Sequence, residues 1–385
     1  MGPFALLCLL AAVDGGVDGG VVDAGVVDAG VVDAGVVDAG VVDAGVGLQI
    51  TPVVAPAYTP ELGFLLVAGG VLGWTSPGAP RSSLAVVAGG STIGAFLAQA
   101  RLTSFWMEDR VRLAAFVDVR DQPDHYFGVG FQNGLTRPQG PETTAYRRTA
   151  WQVSPHLQVL MRPCLFFGTV MDFTGTLSRN LSPGVADDPD FRGRGGDRII
   201  NSGMGFALTW DSRDVPVNPW RGMLLSAQWL AYGPMFGGTT KWNSLTLDYR
   251  HYVTLFREGS TLSWQVKHRS TWGEVPWSDL SLLGTPWDLR AYRWGRYRDA
   301  SATFALVEYS FMFPFPKDTI WARLGAAAWV GVGAIGPGLL PDVTQLLPAA
   351  GLGLRVRVQD RVTVRLDFGL GRGSFAFYFQ FLEAF

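Results

Sequence analysis

From Arg361 to Leu370, apolar and polar residues alternate without a break. Val362, Val364, Leu366, Phe368 and Leu370 form one set, and Arg361, Thr363, Arg365, Asp367 and Gly369 form the other. Successive side chains of a strand point to opposite faces, whereas a helix would spread both sets around its surface. The preceding segment repeats the pattern: Leu352, Leu354, Val356 and Val358 oppose Gly353, Arg355, Arg357 and Gln359. In the closing segment Phe375, Phe377, Phe379 and Phe381 share a face, with Phe385 in phase, while Tyr378 and Gln380 point the other way. Similar alternation runs through Gly203 to Asp211, Ser244 to Leu255 and Leu262 to Arg269.

A chain of such strands fits a water-soluble sandwich or a membrane barrel. The two differ in which face meets water. Here the polar faces carry Arg, Asp, Thr and Gly, and the apolar faces carry Trp, Tyr and Phe near strand ends. The chain also stops on an aromatic, Phe385. These features predict an all-β, transmembrane antiparallel barrel. At about 20 residues per tilted strand and turn, the stretch from Ile50 to Phe385 makes about 16 strands. Between Ile50 and Gln122 the division is hard to draw, because segments such as LGFLLVAGGVLGW are apolar throughout.

Composition sharpens this picture. The 385 residues include 49 Gly, 14 Trp and 24 Phe, yet only 17% are charged. A net charge of -2 speaks against nucleic-acid binding. No apolar run reaches the roughly 18 residues that a spanning helix needs. Residues 1–12, MGPFALLCLLAA, read as an export signal peptide, although no Lys or Arg precedes the apolar core. Residues 13–47 contain VVDAG repeated five times and read as a flexible acidic linker. They lack the Gly-Gly-x-Gly-x-Asp pattern of calcium β-helix repeats. The barrel then occupies residues 48–385. With Cys8 in the signal, Cys164 stands alone and no disulfide framework is expected.

Three segments carry a resemblance. The first is Gly205 to Asp214, GFALTWDSRD, followed by Pro219-Trp-Arg-Gly222. The second is Leu283 to Asp299, LGTPWDLRAYRWGRYRD, and the third is the closing run from Leu352 to Phe385. Together they resemble the BamA-type outer-membrane assembly barrels, the bacterial surface-antigen family. The resemblance implies that the second segment is a loop folded back into the lumen, with Leu289, Arg290, Ala291 and Tyr292 at its Val-Arg-Gly-Phe/Tyr motif. Arg293, Arg296, Arg298 and Asp299 complete that candidate site. In the family the motif arginine pairs with carboxylates of the barrel wall. Its usual acidic partner maps to Gly331, so Asp367 is the first candidate partner here and Glu308 the second. The motif glycine is Ala291. Asp211, Arg213, Asp214 and Gly222 read as a structural turn at a strand end, and Phe379, Phe381 and Phe385 as the C-terminal strand signal. Assembly members carry periplasmic repeats before the barrel, and residues 1–47 fit none.

Catalytic chemistry is absent from the pattern. His125, His156, His251 and His268 are scattered without metal-ligand spacing, and no Gly-x-Ser-x-Gly elbow occurs. The expectation is a non-enzyme with no metal and no cofactor, located in a bacterial outer membrane. The resemblance implies a role in assembling or translocating outer-membrane proteins or lipids. Its partners would be outer-membrane lipid and a separate periplasmic protein or lipoprotein. Two alternatives stay open: a passive channel whose Arg355, Arg357, Arg365 and loop arginines favour anions, and a structural platform for another protein.

Overall fold

The computed structural model describes residues 48–381, apart from 77, 80, 215–217, 316–318 and 360–361. The signal peptide and VVDAG linker, residues 1–47, and the terminal Phe385 lie outside the described residues. The first five strands are β1 (Gln49–Thr59), β2 (Gly63–Thr75), β3 (Arg81–Ser91), β4 (Phe96–Trp106) and β5 (Val111–His125). Next come β6 (Ala145–Arg162), β7 (Leu165–Arg179), β8 (Arg198–Asp211), β9 (Gly222–Tyr232), β10 (Trp242–Thr254) and β11 (Ser260–Gly273). Two short strands follow, β12 (Ser281–Leu283) and β13 (Tyr297–Asp299). The last are β14 (Ser301–Met312), β15 (Leu324–Gly336), β16 (Leu347–Gln359), β17 (Val362–Gly371) and β18 (Ser374–Phe381).

Sixteen of these strands close into one antiparallel barrel, each paired with its neighbour in sequence and β1 meeting β18. Only β12 and β13 stand apart, as a hairpin within the β11–β14 connection. Strand alternation gives the barrel two unlike rims. The chain enters β1 and leaves β18 at one, here the terminal rim. Residues 126–144, 180–197 and 274–300 form the long connections of the other, the loop rim.

Alternation sorts the side chains as the sequence predicts. On β17, Thr363, Arg365 and Asp367 are buried inward, while Phe368 and Leu370 are 44% and 64% exposed on the outer wall. On β18, Tyr378 and Gln380 face in and Phe375 faces out. The outer wall is therefore an apolar band suited to lipid.

Strands β1 to β4 depart from this rule. Leu65, Val67, Val87 and Leu97 are buried inward, packed with Ala57, Leu62 and Ala95. Phe64, Leu66, Val86 and Phe96 on the same strands are exposed outward. Both faces are apolar, so the period-two signal disappears from the sequence. That is why the stretch from Ile50 to Gln122 resists division, although it folds into five regular strands.

Candidate functional site

The connection from β11 to β14 folds inward and fills the lumen. Asp288 shapes its tip: one carboxylate oxygen accepts the backbone N–H groups of Gly284 at 3.1 Å, Thr285 at 2.5 Å and Leu289. Gly284 adopts φ +98°, a left-handed conformation natural to glycine. The turn aims Leu289 and Arg290 at the wall of β14 to β17. Leu289 fits against Gly331 and Gly333, where an added Cβ would lie 3.1 Å and 2.6 Å from its methyl groups. The glycine at position 331, where the family resemblance leads one to look for an acid, thus makes room for an apolar side chain.

Arg290 is fully buried. Its Nη1 donates to Asp367 Oδ2 at 2.8 Å and its Nη2 donates to Glu308 Oε2. Both candidate partners contact it at once. The network extends beyond them. Arg355 donates to Asp367 Oδ1 at 2.7 Å and to Glu308 Oε1 at 2.8 Å. Arg365 donates to Asp367 Oδ2 at 2.8 Å, to the carbonyl of Pro286 at 3.0 Å and to Gln380 Oε1 at 2.5 Å. Two aromatic rings add cation–π contacts: Trp329 lies 4.5 Å from Arg290, and Trp287 lies 4.6 Å from Arg365. Three guanidiniums and two carboxylates are thus buried together, and planar forks matched to carboxylates are the geometry that tolerates such burial. Arg355 and Arg365, which read as anion-favouring lumen cations, are instead spent on the plug.

Glycine on the wall allows the close approach. A Cβ at Gly369 would sit 2.0 Å from the carbonyl oxygen of Arg290, and one at Gly371 would meet the ring of Tyr292 at 2.7 Å. Ala291 is fully buried and is not among the residues with positive φ. The motif position needs no left-handed backbone here, and the room for the close approach comes from the barrel side.

Past Ala291 the loop reaches the loop rim. Ser374 donates to the carbonyl of Ala291 at 2.6 Å, and Tyr378 donates to that of Tyr292 at 3.4 Å. The Tyr292 hydroxyl donates to the carbonyl of Pro348 at 2.6 Å and accepts the N–H of Arg372 at 2.9 Å. Across the junction of β1 and β18, Arg293 donates to the carbonyl of Pro60 at 2.9 Å, and the N–H of Trp294 donates to Glu61 Oε1 at 3.2 Å. Four consecutive residues therefore touch both the β17–β18 hairpin and the β1–β2 turn. Arg296 donates to the carbonyl of Gly134 at 2.7 Å. Arg298 donates to the carbonyls of Gly295 and Trp277 and lies over the rings of Tyr126 and Trp277. Asp299 accepts the N–H of Ala300 at 2.8 Å, and burial pushes its carboxyl above the usual range.

The strand-end turn lies at the terminal rim, away from the plug. Arg213 Nε donates to Asp211 at 3.0 Å, and Asp214 accepts the N–H groups of Trp220 and Arg221. Gly222 follows at φ +98°. Phe379 lies on β18, where it is the register partner of Tyr58 on β1. Phe381 ends that strand. Among the described residues, β1 and β18 share this one paired position, whereas β1 pairs with β2 at eleven positions and β17 with β18 at eight. Sequence reasoning did not assign Trp329, Gln380, Ser374, Tyr378 or Glu61 to the site. The inward parity of Gln380 and Tyr378 was visible, but nothing in the sequence places Glu61 beside Trp294.

Residues 82–359 match the model of the Omp85 superfamily domain. The chain belongs to the Omp85 superfamily. Solved structures share its fold. BamA from Haemophilus ducreyi lacking POTRA domains 1-3 superposes with a TM-score of 0.60 at 16% identity, over 86% of this chain and 69% of that one. CdiB from Escherichia coli gives 0.55 at 12% identity, over 86% of this chain and 62% of that one. CdiB from Acinetobacter baumannii gives 0.52 at 12% identity, covering 87% and 59%. This Omp85 barrel spans less than two thirds of either CdiB chain. No curated protein matches the sequence.

Proposed function

We propose that this Omp85 barrel works in the outer membrane, inserting or translocating proteins or lipids by opening between β1 and β18. The observation that carries the reading is the seam, where the described residues of β1 and β18 share one paired position, Tyr58 with Phe379. A strand edge that parts from its neighbour presents backbone donors and acceptors, which template an incoming strand. The plugged lumen supports this reading over an open channel, since Arg355, Arg365 and the loop arginines are bound within the protein, whereas Arg357 stands apart at the terminal rim on the carbonyl of Ala322. No step of this role calls for an enzyme site or a cofactor. A periplasmic protein or lipoprotein is the partner such a role implies.

The test uses a lock across the seam. Tyr58→Cys with Phe379→Cys places two thiols at the paired position. Full-length protein in liposomes, given an unfolded outer-membrane barrel as client, should speed its insertion when reduced and lose that effect when oxidised. Equal rates in both states would sink the seam mechanism. Single-channel recording adds a second check: low or erratic conductance is expected, rising on deletion of residues 287–299. A steady, high, anion-selective conductance from the intact protein would identify a channel instead.

A further inference from the structure

On the outer wall of β5, β6 and β7, polar groups appear where the apolar band ends. Asp121 sits on β5, Arg147 and Thr149 on β6, and Arg179 on β7. Asp121 is register partner to Thr149, and Arg147 to Arg179. Arg147 Nε donates to Asp121 Oδ2 at 2.8 Å, and its Nη2 donates to the same oxygen and, at 3.0 Å, to the carbonyl of Gly94. Arg179 Nη2 donates to Asp121 Oδ1 at 2.8 Å and to Thr149 Oγ1 at 2.7 Å. Thr149 donates to Asp121 Oδ1 at 2.7 Å. One carboxylate thus fixes two guanidiniums, and their side chains stay 34% and 50% exposed. Arg198, at the start of β8, is exposed opposite Leu177, two residues from Arg179 on β7.

Directly below lies the greasy wall. Trp151 is 40% exposed, lies across Gly175 and has exposed Val119 as its register partner, while exposed Phe96 and Leu177 flank the patch in the same register row as Asp121 and Thr149. A half-exposed Trp at the end of an apolar band marks the membrane–water interface. Two residues along a strand span roughly 7 Å, so Thr149 stands about one headgroup layer above Trp151. Three arginines against one carboxylate leave a positive patch at that height.

We propose that this patch binds the anionic phosphomonoester headgroup of a lipid in the leaflet at the loop rim, with the acyl chains lying on Val119 and Trp151 and the headgroup flanked by Phe96 and Leu177. Phosphate oxygens accept forked guanidinium bonds, and Asp121 holds the arginines in position for them. A bilayer supplies this headgroup along with chains that fit the wall beneath, which free phosphate does not.

The experiment titrates full-length protein in detergent with phosphatidic acid and reads retained lipid by native mass spectrometry. Parallel titrations use phosphatidylcholine of the same chains and inorganic phosphate. Phosphatidic acid should be retained on the wild type, and about thirtyfold more weakly on Arg179→Gln/Arg198→Gln, given the usual contribution of each arginine near a membrane surface. Phosphatidylcholine should bind weakly and equally to both, and inorganic phosphate should fail to displace the acid lipid. Unchanged retention of phosphatidic acid in the variant overturns the site. So does equal retention of phosphatidylcholine, or displacement by inorganic phosphate at matched concentration. Folding is checked by the gel mobility shift on heating. If the double variant misfolds, Arg198→Gln alone, outside the ion triad, must still weaken retention of the acid lipid.

Discussion

Arg290 and Asp367, 77 positions apart in sequence, are joined by a hydrogen bond of 2.8 Å in the interior of the barrel. Asp367 does not serve Arg290 alone. It also accepts from Arg355 and Arg365, whereas Glu308 accepts from Arg290 and Arg355. Removing one partner from a buried ion network leaves the others uncompensated, at a cost of about 3–5 kcal/mol. Asp367→Asn should therefore lower the urea midpoint, and by more than Glu308→Gln does. Equal losses would show that the network is not centred on Asp367. A simple charge reversal of Arg290 and Asp367 should not restore stability, because an arginine at 367 would face Arg355 and Arg365.

Gly369 offers a steric route to the same contact. Its missing side chain is where the carbonyl oxygen of Arg290 sits. Gly369→Ala should push the plug from the wall, costing about 1–3 kcal/mol as overpacking does. The conductance of the purified protein should rise with it. Gly90→Ala, whose added methyl would meet nothing nearer than 3.7 Å, should leave both readings unchanged.

Glu61 gives the loop rim a pH dependence. Burial raises its carboxyl above the ordinary range, against the lowering effects of Arg293 and the Trp294 N–H. The folded protein then binds the Glu61 proton more tightly than the unfolded chain does. Its contribution to stability is greatest at and below the ordinary carboxylate range, and falls as pH rises through the raised value. Glu61→Gln, which mimics the protonated group, should match the wild-type melting temperature near pH 4 and exceed it at neutral pH. A difference that stays constant with pH would exclude Glu61 as the titrating group.

Arg293 ties the plug to the first hairpin through the Pro60 carbonyl, and to Gln139 on the neighbouring loop. Arg293→Ala should speed amide exchange around residues 60–63 while leaving the β8–β9 pairing protected. Unchanged exchange at the β1–β2 turn would mean that Trp294 and Glu61 suffice to hold it.

Much of the barrel can be read from one strand. On β17, polar Thr363, Arg365 and Asp367 against apolar Phe368 and Leu370 give both the strand and its orientation, because lumen and lipid ask for opposite residues. The same logic fails on β2, where Val67 faces in and Leu66 faces out and both are apolar. A wall that packs against itself rather than against a wet or charged interior leaves no alternation to detect. The plug divides in a similar way. Arg290 stands out through its motif and its density of neighbouring charge. Trp329 and Ser374 carry no such mark, since any buried ring or hydroxyl looks alike until the loop is folded against it. The contact between Trp294 and Glu61 joins positions 233 apart and rests on a backbone N–H, to which sequence is blind.

The plug also has a place in time. Residues 274–300 precede Glu308, Arg355, Asp367 and Gln380 in the chain, so every wall residue of the network arrives later than the loop it secures. A nascent or half-threaded chain would hold Arg290 with no carboxylate to meet it until β14, and with none of its second partner until β17. Docking of the loop therefore reports that the last strands are in place. A truncated or stalled barrel would keep the loop undocked and its arginines in water.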